Sequence, residues 1–115
     1  MSFFKSLAIA INGLLVVVRE ELNFKIHLSC ALFVVVFGVF LNFTYTEWLF
    51  IVVAIALVVS GEVANTAIED LCDKVEPRQD PVIGKVKDTM AAFVLVTSLG
   101  SVLIGAIILI HHVFY

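Results

Sequence analysis

Charged residues are scarce in this chain: only 15% of its 115 residues are Asp, Glu, Lys or Arg, against about 25% in an average soluble domain. Hydrophobic residues make up 62%, which is more apolar surface than a soluble core of this length could bury. The net charge of −3 and the lack of a basic cluster argue against nucleic-acid binding. The two cysteines, Cys30 and Cys72, have neither metal-binding nor redox spacing. We therefore expect a membrane protein with reduced cysteines and no nucleic-acid partner.

Long runs without charge predict the membrane architecture. A helix needs about 20 apolar residues to cross a bilayer, and residues 26–46 and 89–115 contain no Asp, Glu, Lys or Arg. A third apolar run starts at Trp48 and carries a single carboxylate, Glu62, before residue 69. We predict one all-α integral membrane domain over residues 1–115. Its predicted parts are transmembrane helices at 26–45, 48–70 and 89–110 and a cytoplasmic loop at 74–86.

The first 25 residues predict an element of another kind. Apolar side chains recur there at three- and four-residue steps, which is typical of an amphipathic helix. The stretch is too short and interrupted to span a bilayer, so we expect an amphipathic surface helix at residues 1–25 in the membrane interface. The alternative is a frayed extension of the first span. We expect no cleavable signal peptide.

The positions of the basic residues predict the orientation. All seven Lys and Arg residues lie before the first predicted span or between the second and third. Because short cytoplasmic segments are rich in Lys and Arg, we place both of these segments, including the N-terminus, in the cytoplasm.

Four polar residues form a stripe on the second predicted span. At about 100° per residue, one narrow face holds Glu62, Asn65, Glu69 and Asp73. Glu62 would lie roughly 9 Å inside the hydrocarbon boundary, and the others would approach water. Ionisable groups at membrane depth are costly and mark functional sites, so this face should contact protein or a cavity rather than lipid.

Charges from the other helices reach the same level. The hairpin topology places Glu21, Lys87 and Asp88 beside the water-facing end of the stripe. Four carboxylates around one lysine form a poor set of ion pairs, but they suit Mg²⁺ together with a phosphate chain. A carboxylate in apolar surroundings, as Glu62 would be, suits a general base. The alternative is a non-catalytic membrane assembly subunit or a cation-binding helical bundle.

The run EVANTAIEDLCD over residues 62–73 resembles the signature of the prokaryotic diacylglycerol kinase family, which includes undecaprenol kinases. Residues 87–92 resemble the second block of the family, and ELNFKIH at 21–27 resembles its first. The resemblance implies a helical homotrimer with active sites shared between subunits. It also implies a multi-pass protein of the bacterial inner membrane with its active site at the cytoplasmic face.

The activity that the resemblance implies is transfer of phosphate from ATP to a membrane lipid alcohol. Undecaprenol is the favoured acceptor and diacylglycerol the second. Glu62 would be the catalytic base, Glu21 and Glu69 would hold Mg²⁺, and four residues would bind the nucleotide and phosphates. These four are Asn65, Asp73, Lys87 and Asp88. Three departures from the family pattern, which are Leu22, Met90 and Phe93, bear on the choice of lipid.

Overall fold

The computed structural model describes residues 2–115 as four helices joined by short connections. They are α1 (Phe3–Glu20), α2 (Leu22–Phe40), α3 (Tyr45–Val75) and α4 (Pro81–Phe114). The described part of the chain has no strand, so the predicted all-α class is confirmed. The most extensive packing is between α3 and α4, while α2 lies against α3 and α1 contacts both α2 and α3.

Three helices, α2, α3 and α4, are long and apolar enough to cross a membrane, as the charge-free runs predicted. The 31 residues of α3 and the 34 of α4 would extend about 46 and 51 Å at 1.5 Å per residue. The hydrocarbon core of a bilayer is only about 30 Å thick, so both helices are long enough to continue beyond it. We call the end of the bundle around residues 76–80 the polar end, and the end around residues 41–44 the hairpin end.

The helix bounds correct the predicted loop at the polar end. The segment 74–86 is helical at both of its ends, and only residues 76–80 lie outside α3 and α4. Pro77 accounts for the end of α3, because a proline disfavours the helical conformation of the residue before it. Pro81 opens α4, where the missing N–H has no helical acceptor in any case. Apolar runs in the sequence predict where the membrane-spanning segments lie. They do not predict the additional helical turns of polar residues by which α3 and α4 continue beyond those segments.

The bounds also differ near the N-terminus. The single helix predicted over residues 1–25 ends at Glu20, and α2 begins at Leu22, before the predicted start of the first span. Glu21 lies between the two helices with an extended backbone. Met1 of the predicted helix lies outside the described residues. The placement of α1 in the membrane interface stays a prediction.

The hairpin end is built by side-chain and backbone caps. The hydroxyl of Thr44 accepts from the Glu47 N–H at 3.2 Å, and the Thr44 N–H donates to Glu47 Oε1 at 2.8 Å. This reciprocal cap starts α3. Asn42 has a φ of 55°, and its N–H and that of Phe43 donate to the last carbonyls of α2. A left-handed residue at this position is the usual way to end a helix tightly.

His112, near the end of α4, joins three segments at the hairpin end. Its Nδ1 lies 2.9 and 3.0 Å from the two carboxylate oxygens of Glu47, and its Nε2 lies 2.6 Å from the carbonyl oxygen of Leu41. Because both partners are acceptors, both ring nitrogens donate when Glu47 is ionised. The pair therefore ties α4 to the start of α3 and to the connection from α2.

Few side chains are buried within the single chain. Most large apolar residues of α2, α3 and α4 are exposed, as suits helices surrounded by lipid or by other helices. The only buried polar or charged residues in the described part of the chain are Glu62 and Thr66. Since both lie on α3, the polar interior of the bundle is confined to one short stretch of that helix.

Gly38 provides a test of the hairpin end. A Cβ at this position would lie 2.6 Å from Cη2 of Trp48 and 2.8 Å from Cδ2 of Phe43, and neither rigid ring can yield easily. We expect Gly38→Ala to lower the Tm of the detergent-purified protein by about 4–8 °C, the shift that 1 kcal/mol produces in a domain of this size. This should occur although alanine favours a helix more than glycine does.

Gly84→Ala is the matched control for this substitution. A Cβ at Gly84, in the first turns of α4, would meet nothing within 4 Å. We expect this variant to keep or raise the Tm, so equal Tm values for the two variants would contradict the packing of Gly38.

Candidate active site

One face of α3 carries the predicted polar residues in order of increasing exposure. The side chain of Glu62 is only 5% exposed. Asn65 and Glu69 are partly buried, and the side chain of Asp73 is 63% exposed. The face therefore runs from the apolar interior to the polar end, as the spacing in the sequence predicted.

Two hydrogen bonds within α3 order this face. Nδ2 of Asn65 donates to Oε1 of Glu69 at 3.2 Å, while Oδ1 of Asn65 is buried without a partner in the described part of the chain. The hydroxyl of Thr66 donates to the backbone carbonyl of Glu62 at 3.0 Å, so its proton is not available to the Glu62 carboxylate. Oδ1 of Asn65 and the carboxylate of Glu62 therefore receive no hydrogen bond from these two groups. Because buried polar atoms are rarely unpaired, we expect other donors to bind them.

An ion pair joins α4 to α3 at the polar end. Nζ of Lys87 lies 2.6 Å from Oδ1 of Asp73. Exposed pairs of this kind add little stability, so the main effect is to place the ammonium group beside the end of the polar face. Glu69 also lies within electrostatic range of Lys87. Asp88 is exposed, and its predicted role in the site stays a prediction.

Glu21 joins the carboxylates of α3 from the break between α1 and α2. Desolvation raises the pKa of Glu21 above its ordinary value, and the negative charges of Glu69 and then Glu62 raise it further. These effects indicate that Glu21 lies within electrostatic range of Glu69 and Glu62. Both predicted metal ligands, Glu21 and Glu69, therefore belong to the same charged region.

The donor set suits Mg²⁺ bound together with a phosphate chain. Within residues 2–115, no group of three or more His, Cys, Asp or Glu side chains could hold a metal ion by itself. Mg²⁺ commonly uses one or two carboxylates, with waters and substrate phosphates completing its shell. A cation near Glu21 and Glu69 would also relieve the repulsion that raises the pKa of Glu21. Their role as metal ligands stays a prediction.

His27 of α2 is a neighbour of the site that the sequence analysis did not assign to it. Its Nδ1 lies 3.2 Å from Oε1 of Glu62, although the two groups are not aligned for a hydrogen bond. The residues are far apart in sequence and lie on different helices. Because no periodicity connects them, only the packing of α2 on α3 could show that they meet.

Known proteins match most of the chain. Residues 8–109 match the family model of prokaryotic diacylglycerol kinase. The chain is also 34% identical over 106 residues to the undecaprenol kinase of Bacillus subtilis (strain 168), covering 92% of this chain and 86% of that protein. The family match includes His27 and every residue predicted for the site.

The closeness of Glu21 and Glu69 can be tested by titration. We expect Glu69→Gln to lower the pKa of Glu21 toward its ordinary value, because a negative charge is removed, while desolvation keeps it raised. Carboxyl ¹³C NMR of the labelled protein in micelles measures this pKa. The control is Glu76→Gln, which alters a loop carboxylate that binds Arg78 and should leave the Glu21 titration unchanged. An unchanged Glu21 pKa in Glu69→Gln would show that the two carboxylates are apart.

Proposed function

The chain belongs to the prokaryotic diacylglycerol kinase family, and from this premise we propose that it transfers the γ-phosphoryl group of ATP to the hydroxyl of a membrane lipid alcohol. The observation that carries the proposal is the polar face of α3, which joins a buried carboxylate, Glu62, to charged groups at the polar end. A lipid hydroxyl can reach Glu62 without leaving the membrane. A nucleotide can reach Lys87 and Asp73 from water.

Glu62 acts as the general base in this proposal. One of its carboxylate oxygens accepts the proton of the lipid hydroxyl as the O–H bond breaks. The lipid oxygen then bonds to the γ-phosphorus, and the bond between that phosphorus and the bridging oxygen breaks to leave ADP. Such a reaction depends mainly on positioning and on charge neutralisation, so a buried base next to fixed charges is well suited to it.

The remaining polar residues hold the nucleotide. Glu21 and Glu69 would hold Mg²⁺, which supplies positive charge to the phosphate chain when it is bound. Lys87 provides a point charge for phosphate oxygens, and Asp73 keeps that ammonium in place at 2.6 Å. The unpaired Oδ1 of Asn65 can accept from a bound water or nucleotide group. Asp88, the next residue after Lys87, completes this set.

The proposal also covers the orientation of the chain in the membrane and its assembly with other copies. We place the polar end, the N-terminus and the active site at the cytoplasmic face of the bacterial inner membrane, because every Lys and Arg falls on that side. The many exposed apolar side chains of the single chain are compatible with a homotrimer whose active sites are shared between subunits. α1 would lie along the membrane interface next to that face.

Undecaprenol is the acceptor that the similarity favours, and diacylglycerol is the second choice. The Bacillus subtilis relative is an undecaprenol kinase, and residues 23–27 resemble that branch of the family. Phe93 of α4 packs beside Gly61, where a Cβ would lie 3.5 Å from its ring. Since Gly61 precedes the proposed base, Phe93 is well placed to affect the shape of the site that binds the lipid acceptor. Leu22 and Met90 are the other departures from the family pattern that bear on the choice of lipid.

The activity itself is the first test. We expect protein in lipid nanodiscs with Mg²⁺ and γ-labelled ATP to transfer label to a lipid alcohol. Glu62→Gln should lower kcat by at least about 100-fold, because general-base catalysis contributes 10²–10⁴-fold. Cys30→Ser alters an exposed residue on α2 and should change kcat little. A wild-type protein that labels no member of a broad lipid-alcohol panel would contradict the proposal.

The acceptor preference is a separate test. We expect kcat/KM to be higher for undecaprenol than for diacylglycerol at equal mole fraction, by on the order of tenfold. Phe93→Ala should change this ratio and leave the KM for ATP almost unchanged, because the ring lies beside the proposed base and not among the nucleotide-binding charges. A higher kcat/KM for diacylglycerol would contradict the assignment of the acceptor and leave the kinase activity standing.

A further inference from the structure

His27 of α2 contacts Glu62, the proposed base, at the buried end of the polar face. Nδ1 of His27 is 3.2 Å from Oε1 of Glu62, with side-chain exposures of 27% and 5%. Within residues 2–115, His27 is the only basic side chain within 4 Å of that carboxylate. A buried carboxylate needs a partner, because an isolated buried charge is strongly disfavoured.

The nearby hydroxyl groups do not donate a hydrogen bond to the carboxylate of Glu62. Thr66 donates to the backbone carbonyl of Glu62, and Thr97 of α4, which faces Gly61, donates to the carbonyl of Val94. A hydroxyl has only one proton to donate. Neither threonine can therefore donate to the Glu62 carboxylate while it keeps its present bond.

Other charged groups around Glu62 are carboxylates. Glu21, at the start of α2, and Glu69, farther along α3, belong to the same cluster. On α4, the side chains nearest to Gly61, the residue before Glu62, are Phe93 and Thr97, and neither is titratable. Among the neighbouring groups named above, only the imidazole of His27 can donate a hydrogen bond to the carboxylate of Glu62.

We propose that His27 is a positioning residue that donates a hydrogen bond from Nδ1 to Oε1 of Glu62 and so leaves Oε2 free to accept the proton of the lipid hydroxyl. This inference rests on the proposed role of Glu62 as the base. The donation is possible with the imidazole neutral or charged, since Nδ1 can carry a proton in both forms. The present misalignment fits a hydrogen bond that tightens when substrate binds, as catalytic hydrogen bonds often do.

Two substitutions of His27 separate positioning from bulk packing. His27→Leu removes the donor but keeps an apolar side chain, whereas His27→Asn can place an amide N–H near the position of Nδ1. We expect His27→Leu to lower kcat by about 10–100-fold, because a small misplacement of a catalytic group can cost 10²-fold. The KM values for ATP and lipid should change less than about threefold. His27→Asn should restore most of the lost kcat.

His111→Leu is the matched control. It is the same substitution at an exposed histidine of the hairpin end, where the ring stacks on Tyr115, and it should leave kcat near the wild-type value. If His27→Leu retains full kcat, or if His27→Asn is as slow as His27→Leu at equal Tm, the positioning role is wrong. If instead the wild-type protein phosphorylates no lipid alcohol, the kinase proposal fails first.

A spectroscopic readout tests the hydrogen bond independently of turnover. We expect the ¹⁵N signals of His27 to show a protonated Nδ1 in the wild-type protein, and Glu62→Leu to remove that preference because it removes the acceptor. His111 should give the same signals in both proteins. If the His27 tautomer is identical with and without the Glu62 carboxylate, the inference is overturned even when lipid phosphorylation is present.

Discussion

A carboxylate in the wall of an apolar helix bundle is the constraint on which the rest of this structure depends. Glu62 is almost completely buried, in a chain whose apolar side chains mostly face outward. Burying such a group is unfavourable unless neighbouring elements supply polar contacts. His27 approaches it from α2, and Glu21 adds a further charge from the break that precedes α2. The position of α2 relative to α3 therefore determines the surroundings of this carboxylate.

α3 is long enough to connect the two environments that the proposed chemistry requires. A helix of 31 residues is about 16 Å longer than the hydrocarbon core is thick. One continuous face can then hold a buried carboxylate at one level and an exposed ion pair about three turns farther along. Because a single helix fixes the register of Glu62 and Asp73, the distance between the proposed base and the charges proposed to bind the nucleotide does not depend on a loop. The packing of α4 against α3 places Lys87 beside Asp73 at the polar end.

The sequence predicted the class of the fold and one face of the site, and the reasons are physical. Charge-free runs predict spanning helices because the bilayer excludes charge, and the steps from Glu62 to Asp73 predict a shared face because helices have a fixed period. The ends of the helices were not predictable from hydropathy, since polar turns beyond the membrane keep the helical backbone. The neighbourhood of His27 was not predictable either, because contacts between α2 and α3 depend on helix rotation and have no local pattern. The interpretation of the chain as an enzyme came from the signature, which hydropathy alone could not supply.

The two histidine–glutamate pairs in the described part of the chain show that the same residue types can have different roles. At the hairpin end, both nitrogens of His112 have acceptors at 2.6–3.0 Å, so the ring is held at two points and the segments around it are fixed. At the buried site, His27 has one long contact that is not aligned. A fully satisfied polar network makes a structure rigid, while an unsatisfied one retains groups that can form stronger bonds. A carboxylate that is proposed to take up a proton needs at least one free acceptor oxygen. The His27–Glu62 pair is therefore suited to the proposed chemistry, whereas the His112–Glu47 pair is suited to holding the helices together.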